Sequence, residues 1–146
     1  MATERSAQVT WQGDLLSGSG EIHEVPSGAF GPLQVSWAAR AEDDHGGKTS
    51  PEELIAAAHA ACFSMALSAG LAKAGHPPDR LETSATLTFV PGTGITKSAL
   101  TVVGSVPGID EAAFEEAAAQ AKDGCPVSSA FKGNVELTLD ARLIAK

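Results

Sequence analysis

The stretch PEELIAAAHAACFSMALS, residues 51–68, decides the fold because it reads as one long apolar helix with a cysteine in its middle. Ser50 suits the N-cap position before it, Pro51 suits the first helical position, and Glu53 completes a capping box. Gly75 and the two prolines that follow it are typical helix stops. The sequence therefore predicts a helix of about 24 residues, or ~36 Å.

The side chains of this helix are apolar nearly all round, and many of them are alanines that would let another backbone approach closely. Such a helix is expected to be buried rather than laid on a surface. A chain of 146 residues has little material to cover it on every side. Burial against a partner chain is therefore a hypothesis that the pattern favours.

Around the helix, the sequence predicts several β-rich segments and a second helix. The segments are residues 7–11, 20–25, 33–39, 81–90, 95–106 and 134–144. The second helix is expected to run from an N-cap at Asp110 to about Lys122, with Gly124 as its stop. Strands, a long helix, strands, a helix and a final strand predict a single α+β domain over residues 1–146, rather than a βαβ series.

Composition and charge narrow the function classes. The chain has 10 Lys and Arg against 18 Asp and Glu, a formal charge of −8, and no basic cluster, which argues against nucleic-acid binding. No apolar segment resembling a signal peptide stands at the N-terminus. The apolar run at 54–67 is interrupted by polar residues and is expected to be too short and too weakly hydrophobic to span a membrane. We expect a soluble, cytoplasmic protein.

The two cysteines, Cys62 and Cys125, have different surroundings. Cys125 directly precedes Pro126, where helix N-terminal amides favour a thiolate, so on the residues alone it is the candidate activated thiol. Cys62 lies in mid-helix among apolar neighbours, where desolvation raises the pKa of a thiol. A reactive Cys62 needs a cation from elsewhere, and two unrelated buried thiols are an equally open alternative.

Arg40 is the most interesting cation, because it ends the predicted strand just before the loop that leads into the long helix. Glu53 has a capping role, which leaves Glu52 available to pair with a cation. In a continuous helix, Glu52 lies ~15 Å along the axis from Cys62. A cluster of Cys62, Arg40 and Glu52 would need a long bridging arginine, a break in the helix or a second subunit.

His59 precedes Cys62 by three residues and shares its helix face. It could act as a base, or the pair could be half of a metal site. Zinc needs three or four ligands, and the sequence offers no CxxC, HxxxH or HExxH pattern to supply them. A histidine packed on a helix face is the more common outcome.

The helix stretch, together with VPGID (106–110) and AKDGCPVS (121–128), resembles the OsmC/Ohr family, and specifically its OsmC branch. The similarity extends from Trp11–Gly13 through GITKSAL (94–100) to the last strand. The long helix motif and a second cysteine in GCPVS at the expected distance make this a specific signal.

The resemblance implies a thiol-dependent hydroperoxidase with antiparallel β-sheets around a long buried helix. It implies an intertwined homodimer with active sites at the subunit interface, and neither metal nor cofactor. Carried over, Cys62 is the peroxidatic thiol, Cys125 the resolving thiol, Arg40 the residue that holds the thiolate, and Glu52 the residue that orients Arg40. The expected substrates are organic hydroperoxides in preference to hydrogen peroxide, and the expected reductant is a dithiol of the dihydrolipoyl kind. The alternative is an OsmC-like small-molecule-binding or metal-binding protein with little turnover.

Overall fold

The computed structural model describes residues 1–144, which form short strands and a short helix, then a long helix, and then strands and helices again. The elements are β1 (Val9–Gln12), β2 (Ser19–Ile22), β3 (Leu33–Val35), α1 (Trp37–Ala41), α2 (Pro51–Lys73), β4 (Arg80–Val90), β5 (Gly94–Ser105), α3 (Glu111–Gly124), α4 (Pro126–Phe131) and β6 (Glu136–Leu143). The predicted α+β class is confirmed. The chain divides into two compact units, Met1–Leu54 and a second that begins at Ile55, so the prediction of a single domain stays a prediction.

The first unit contains an antiparallel sheet in the order β1-β2-β3. The predicted strand at 33–39 is wrong beyond Val35, because Ser36 caps a helix instead. Its hydroxyl accepts a hydrogen bond from the Ala39 N–H at 3.1 Å, which starts α1. Arg40 therefore lies in the last turn of this short helix and not at the end of a strand.

The second unit contains a sheet in the order β4-β5-β6. β4 and β5 form the predicted hairpin and are antiparallel, but β5 and β6 are parallel, with Leu100 opposite Leu139. The prediction of antiparallel sheets is therefore wrong for this pair. The chain between β5 and β6 forms α3 and α4, which makes the long crossover that a parallel return requires.

The N-terminus of α2 forms largely as predicted. The Ser50 hydroxyl accepts a hydrogen bond from the Glu53 N–H at 3.1 Å, and the Glu53 carboxylate accepts one from the Thr49 hydroxyl at 2.7 Å. The first contact satisfies a backbone N–H of the first helical turn that would otherwise lack a partner. In the second, Glu53 bonds to the Thr49 side chain just before the helix. The helix then continues without a break to Lys73.

One face of α2 packs into the core of the second unit. Phe63, Leu67 and Leu71, spaced four residues apart, are buried there together with side chains of β5 and α3. The Phe114 ring of α3 lies so close to Gly104 of β5 that an added Cβ would stand 2.5 Å from the ring. These contacts hold α2, α3 and the sheet together.

The opposite face of α2 is exposed, and Met65 there retains 72% of its accessible surface. The prediction of a buried helix is therefore correct for only one face of α2 within the chain. By length and composition α2 is also long and apolar enough to cross a membrane, so the expectation that this segment is too short and weakly hydrophobic is wrong on that measure. Core helices of soluble proteins share this length and composition.

Candidate active site

The two cysteines meet in the second unit. Cys62 lies on α2 and is half-buried, whereas Cys125 is fully buried at the residue that joins α3 to α4. Neither is in a disulfide, and their thiols are hydrogen-bonded to each other. The structure therefore brings together two side chains that are 63 positions apart in the sequence.

The surroundings of Cys62 favour its protonated form. Burial is the largest cause that raises the pKa of this thiol, and the hydrogen bond and charge of Cys125 raise it further. A backbone hydrogen bond from the Val127 N–H lowers the pKa but does not outweigh these effects. The expectation that desolvation raises the pKa of Cys62 is confirmed. The sequence predicted that the amides at the start of α4 would stabilise a Cys125 thiolate. In the structure the Val127 N–H of α4 donates to the Cys62 sulfur instead, and the Cys125 side chain makes no capping hydrogen bond.

Arg40 and Glu52 form an ion pair in the first unit, between the last turn of α1 and the first turn of α2. Arg40 Nε donates to Glu52 Oε1 at 2.9 Å and to Oε2 at 3.1 Å, and Arg40 Nη2 donates to Oε2 at 2.9 Å. The guanidinium carbon also lies 6.0 Å from the centre of the Trp37 ring. Such a fork gives the guanidinium one orientation and is stronger than a single contact.

The four predicted site residues thus form two pairs, Arg40 with Glu52 and Cys62 with Cys125. The first pair belongs to the first unit and the second pair to the second unit. Because α2 is unbroken, Glu52 lies ~15 Å along the helix axis from Cys62.

His59 has more defined partners than the sequence could indicate. It is fully buried; its Nδ1 is 2.7 Å from the Ser98 hydroxyl, and its Nε2 is 2.9 Å from the Ser128 hydroxyl. The Phe131 ring packs edge-on against the imidazole at 5.3 Å. Burial lowers the pKa of His59 and so favours the neutral ring.

Sequence reasoning could flag His59 only by its spacing from Cys62. Its serine partners lie 39 and 69 positions away, and no local pattern connects them. Among residues 1–144, no group of three or more His, Cys, Asp or Glu side chains is placed to hold a metal ion.

A family model described as "OsmC-like protein" matches residues 43–140. The chain belongs to the OsmC family. It is 42% identical over 146 residues to Peroxiredoxin OsmC of Escherichia coli (strain K12), a match that covers 98% of this chain and 99% of that protein. It is also 35% identical over 97 residues to an organic hydroperoxide resistance protein of Xanthomonas axonopodis pv. citri (strain 306), covering 64% of this chain and 67% of that protein.

Solved structures of OsmC-family proteins have the same fold. The organic hydroperoxide resistance protein OhrB of Bacillus subtilis superimposes with a TM-score of 0.64 at 28% identity, covering 94% of this chain and 98% of that one. A Legionella pneumophila OsmC protein gives a TM-score of 0.67 at 22% identity, covering 97% and 99%. With relatives of this kind and a pair of contacting thiols, this OsmC-family chain is an oxidoreductase of the thiol-peroxidase class.

Proposed function

We propose that the chain reduces organic hydroperoxides, and hydrogen peroxide less efficiently, through Cys62 and a transient disulfide between Cys62 and Cys125. The observation that carries this proposal is the hydrogen-bonded pair of unbridged thiols in the second unit. Two cysteines that served only to fill the core would have no need for their sulfur atoms to be in contact. A redox pair that must return to thiols is suited to a reducing compartment, so we place the protein in the cytoplasm.

In the first step, the Cys62 thiolate attacks the terminal peroxide oxygen. A sulfur–oxygen bond forms, the oxygen–oxygen bond breaks, and the alkoxide leaves and takes a proton to become the alcohol. Cys62 is now a sulfenic acid. In the second step, Cys125 attacks this sulfur, the sulfur–sulfur bond forms and the oxygen leaves as water. An external dithiol, which we propose to be of the dihydrolipoyl class, restores both thiols by exchange and is itself oxidised to a disulfide.

The first step requires a thiolate, yet the surroundings of Cys62 in the second unit raise the pKa of the thiol. We assign the missing positive charge to Arg40. Glu52 keeps the guanidinium oriented through two hydrogen bonds from Nε and one from Nη2. A cation close to the sulfur favours the thiolate and also stabilises charge that develops on the peroxide oxygens.

A homodimer with shared sites is part of the proposal. The exposed face of α2 presents Met65 and several alanines to solvent in the single chain. An apolar face of this kind typically marks an interface. The ~15 Å between Glu52 and Cys62 along an unbroken α2 is also consistent with Arg40 and Glu52 serving the thiols of the partner subunit.

The chemistry is tested by mixing reduced protein with an alkyl hydroperoxide or hydrogen peroxide in a stopped-flow instrument, followed by disulfide mapping. We expect about one equivalent of peroxide per chain to be consumed without reductant and a Cys62–Cys125 disulfide to form. Dihydrolipoamide should restore turnover better than a thioredoxin system. Peroxide consumption without this disulfide would contradict the proposed mechanism, and no consumption would contradict the proposed function.

The shared site is tested by co-expressing two differently tagged chains, one with Arg40→Met and one with Cys62→Ser, and isolating the mixed dimer. Neither variant alone is expected to be active. If Arg40 acts across the interface, the mixed dimer has one intact site and regains activity. A mixed dimer as inactive as its parents would show that Arg40 serves its own chain.

The interface is tested by light scattering. Met65→Glu places a charge on the exposed apolar face of α2 and should give monomers. Ser84→Glu adds the same charge to an exposed polar position of β4 and serves as the control. A wild-type monomer, or a Met65→Glu variant that stays dimeric, would contradict this assignment.

A further inference from the structure

The segment from Cys125 to Ser128 contacts α2 at two points that match in spacing. Cys125 is hydrogen-bonded to Cys62. Ser128 lies three residues after Cys125, and it is hydrogen-bonded to His59, which lies three residues before Cys62 on α2. The segment therefore runs antiparallel to the helix, with one contact made by thiols and the other by a hydroxyl and an imidazole. The Val127 N–H adds a third contact, to the Cys62 sulfur.

The His59 contact is itself anchored from the other side. Nδ1 bonds to Ser98, which lies on β5 at the centre of the second sheet, while Nε2 bonds to Ser128 on α4. Three elements thus meet at one imidazole. All three side chains are buried, with at most 2% of their surface exposed.

This chain of hydrogen bonds constrains the geometry strongly. A neutral imidazole donates from one nitrogen and accepts at the other, and a serine hydroxyl can fulfil either role, so each ring nitrogen has a partner in either tautomer. Turning the ring or withdrawing α4 would leave a buried nitrogen without a hydrogen bond, which is unfavourable. The position of α4 against α2 is therefore set next to the two sulfurs.

We infer that Ser98, His59 and Ser128 are positioning residues that hold Cys125 ready to attack oxidised Cys62. The inference rests on the proposed function, since it concerns the second chemical step. In that step the Cys125 sulfur bonds to the Cys62 sulfur, the sulfur–oxygen bond of the sulfenic acid breaks, and the oxygen leaves as water with the Cys125 proton. None of the three positioning residues exchanges electrons or becomes bonded to substrate.

The experiment separates the two steps by quench-flow and mass spectrometry. Reduced protein is mixed with an alkyl hydroperoxide, and Cys62 sulfenic acid is trapped with a carbon nucleophile while the disulfide is counted in parallel. Ser128→Ala is compared with Ser128→Thr, which keeps a hydroxyl, and with Ser129→Ala, which removes the exposed neighbouring hydroxyl.

We expect disulfide formation in Ser128→Ala to slow by about tenfold or more, because small displacements of a reacting group cost large factors in rate. Formation of the sulfenic acid should change by less than about threefold, since the Ser128 hydroxyl bonds to His59 and not to the attacking Cys62 sulfur. The longer-lived sulfenic acid should then yield more sulfinic acid at high peroxide. Ser128→Thr should recover most of the rate, and Ser129→Ala should match the wild type.

If Ser128 had only a structural role, Ser128→Ala would lower the melting temperature without changing the ratio of the rates of sulfenic acid formation and disulfide formation. Unchanged disulfide formation in Ser128→Ala would overturn the inference while leaving the proposed function intact. Failure of the wild type to form the disulfide would instead remove the proposed function. If Ser128→Ala does not fold, Ser98→Ala removes the other anchor of His59. It should slow the same step, and a normal rate in that variant would overturn the inference.

Discussion

The thiol pair and the ion pair accommodate burial in opposite ways. Glu52 is buried, and the Arg40 guanidinium donates three hydrogen bonds to its carboxylate. Cys62 is surrounded by apolar groups and a second thiol, and burial raises its pKa. A buried charged group is stable only with an opposite charge beside it. A buried thiol with no cation beside it keeps its proton. The second unit thus holds the thiol pair, and the first unit holds the ion pair.

Because of this contrast, substitutions in the thiol pair and in the ion pair are expected to have different effects. Under the proposed mechanism, loss of a sulfur removes a reacting atom, whereas loss of the Arg40 charge weakens both the ionisation of Cys62 and the stabilisation of the peroxide oxygens. The following predictions proceed from the largest expected effect to the smallest.

Replacing Cys62 with Ser should reduce peroxide consumption to the background rate, because a serine hydroxyl at this position has no thiolate to offer. Replacing Cys125 with Ser should still allow one round of peroxide reduction and leave a stable sulfenic acid on Cys62. The measurement is peroxide consumed per chain without reductant. Turnover that survives in the first variant would refute Cys62 as the nucleophile, and loss of the single round in the second would make Cys125 the attacking thiol.

Replacing Arg40 with Met should slow oxidation of Cys62 by about 10²-fold, the usual cost of removing one oriented charge donor. The pH profile of Cys62 alkylation should also move to higher pH, because a cation near a thiol lowers its pKa. Arg80→Met is the matched control, since Arg80 is exposed on β4 and pairs with Glu82. If the pH profile of Cys62 alkylation is unchanged in Arg40→Met, the Arg40 charge does not act on the Cys62 thiol.

Replacing Glu52 with Gln should have a smaller effect, about tenfold, because the positive charge remains while its orientation weakens. The amide can still accept a hydrogen bond from Arg40, so the protein is expected to fold. Glu82→Gln is the exposed control. An effect as large as that of Arg40→Met would mean that Glu52 does more than orient the guanidinium.

His59 adds a buried polar group that is neutral, and its effect should appear in stability. Because burial lowers its pKa in the folded state, the unfolded chain binds the proton first as pH falls. His59 should therefore make the protein less stable below about pH 6.5, by at most ~1.4 kcal/mol per pH unit. Urea unfolding between pH 7 and pH 5 measures this loss. His59→Gln should show a shallower slope, and an equal slope would exclude His59 as its source.

Local patterns predicted some parts of the fold well. The start of α2 at Ser50 and Pro51 and the N-cap at Asp110 follow from capping chemistry that acts within one turn. The hairpin of β4 and β5 follows from two β-rich runs around a short turn. The strand predicted at 33–39 was wrong in its second half, because a β-rich pattern does not reveal that Ser36 caps a helix.

The candidate site could be predicted in its members but not in its arrangement. Residue chemistry singled out Arg40, Glu52, Cys62 and Cys125, and the family resemblance assigned their expected roles. The structure pairs Arg40 with Glu52 and Cys62 with Cys125. The parallel pairing of β5 and β6 was missed, because strand partners are chosen by packing over distances that no local pattern spans. For the same reason, no pattern around His59 pointed to Ser98 or Ser128.

The sequence by itself determined the helix that carries Cys62, its apolar character and the presence of a second thiol. Those features depend on capping residues and side-chain polarity, which act locally. Only the tertiary structure decided that the thiols of Cys125 and Cys62 are hydrogen-bonded, that the Val127 amide donates to Cys62, and that His59 joins α2 to β5 and α4. Such contacts form when a core closes around groups far apart in the chain, and the need to satisfy every buried polar group then selects their partners.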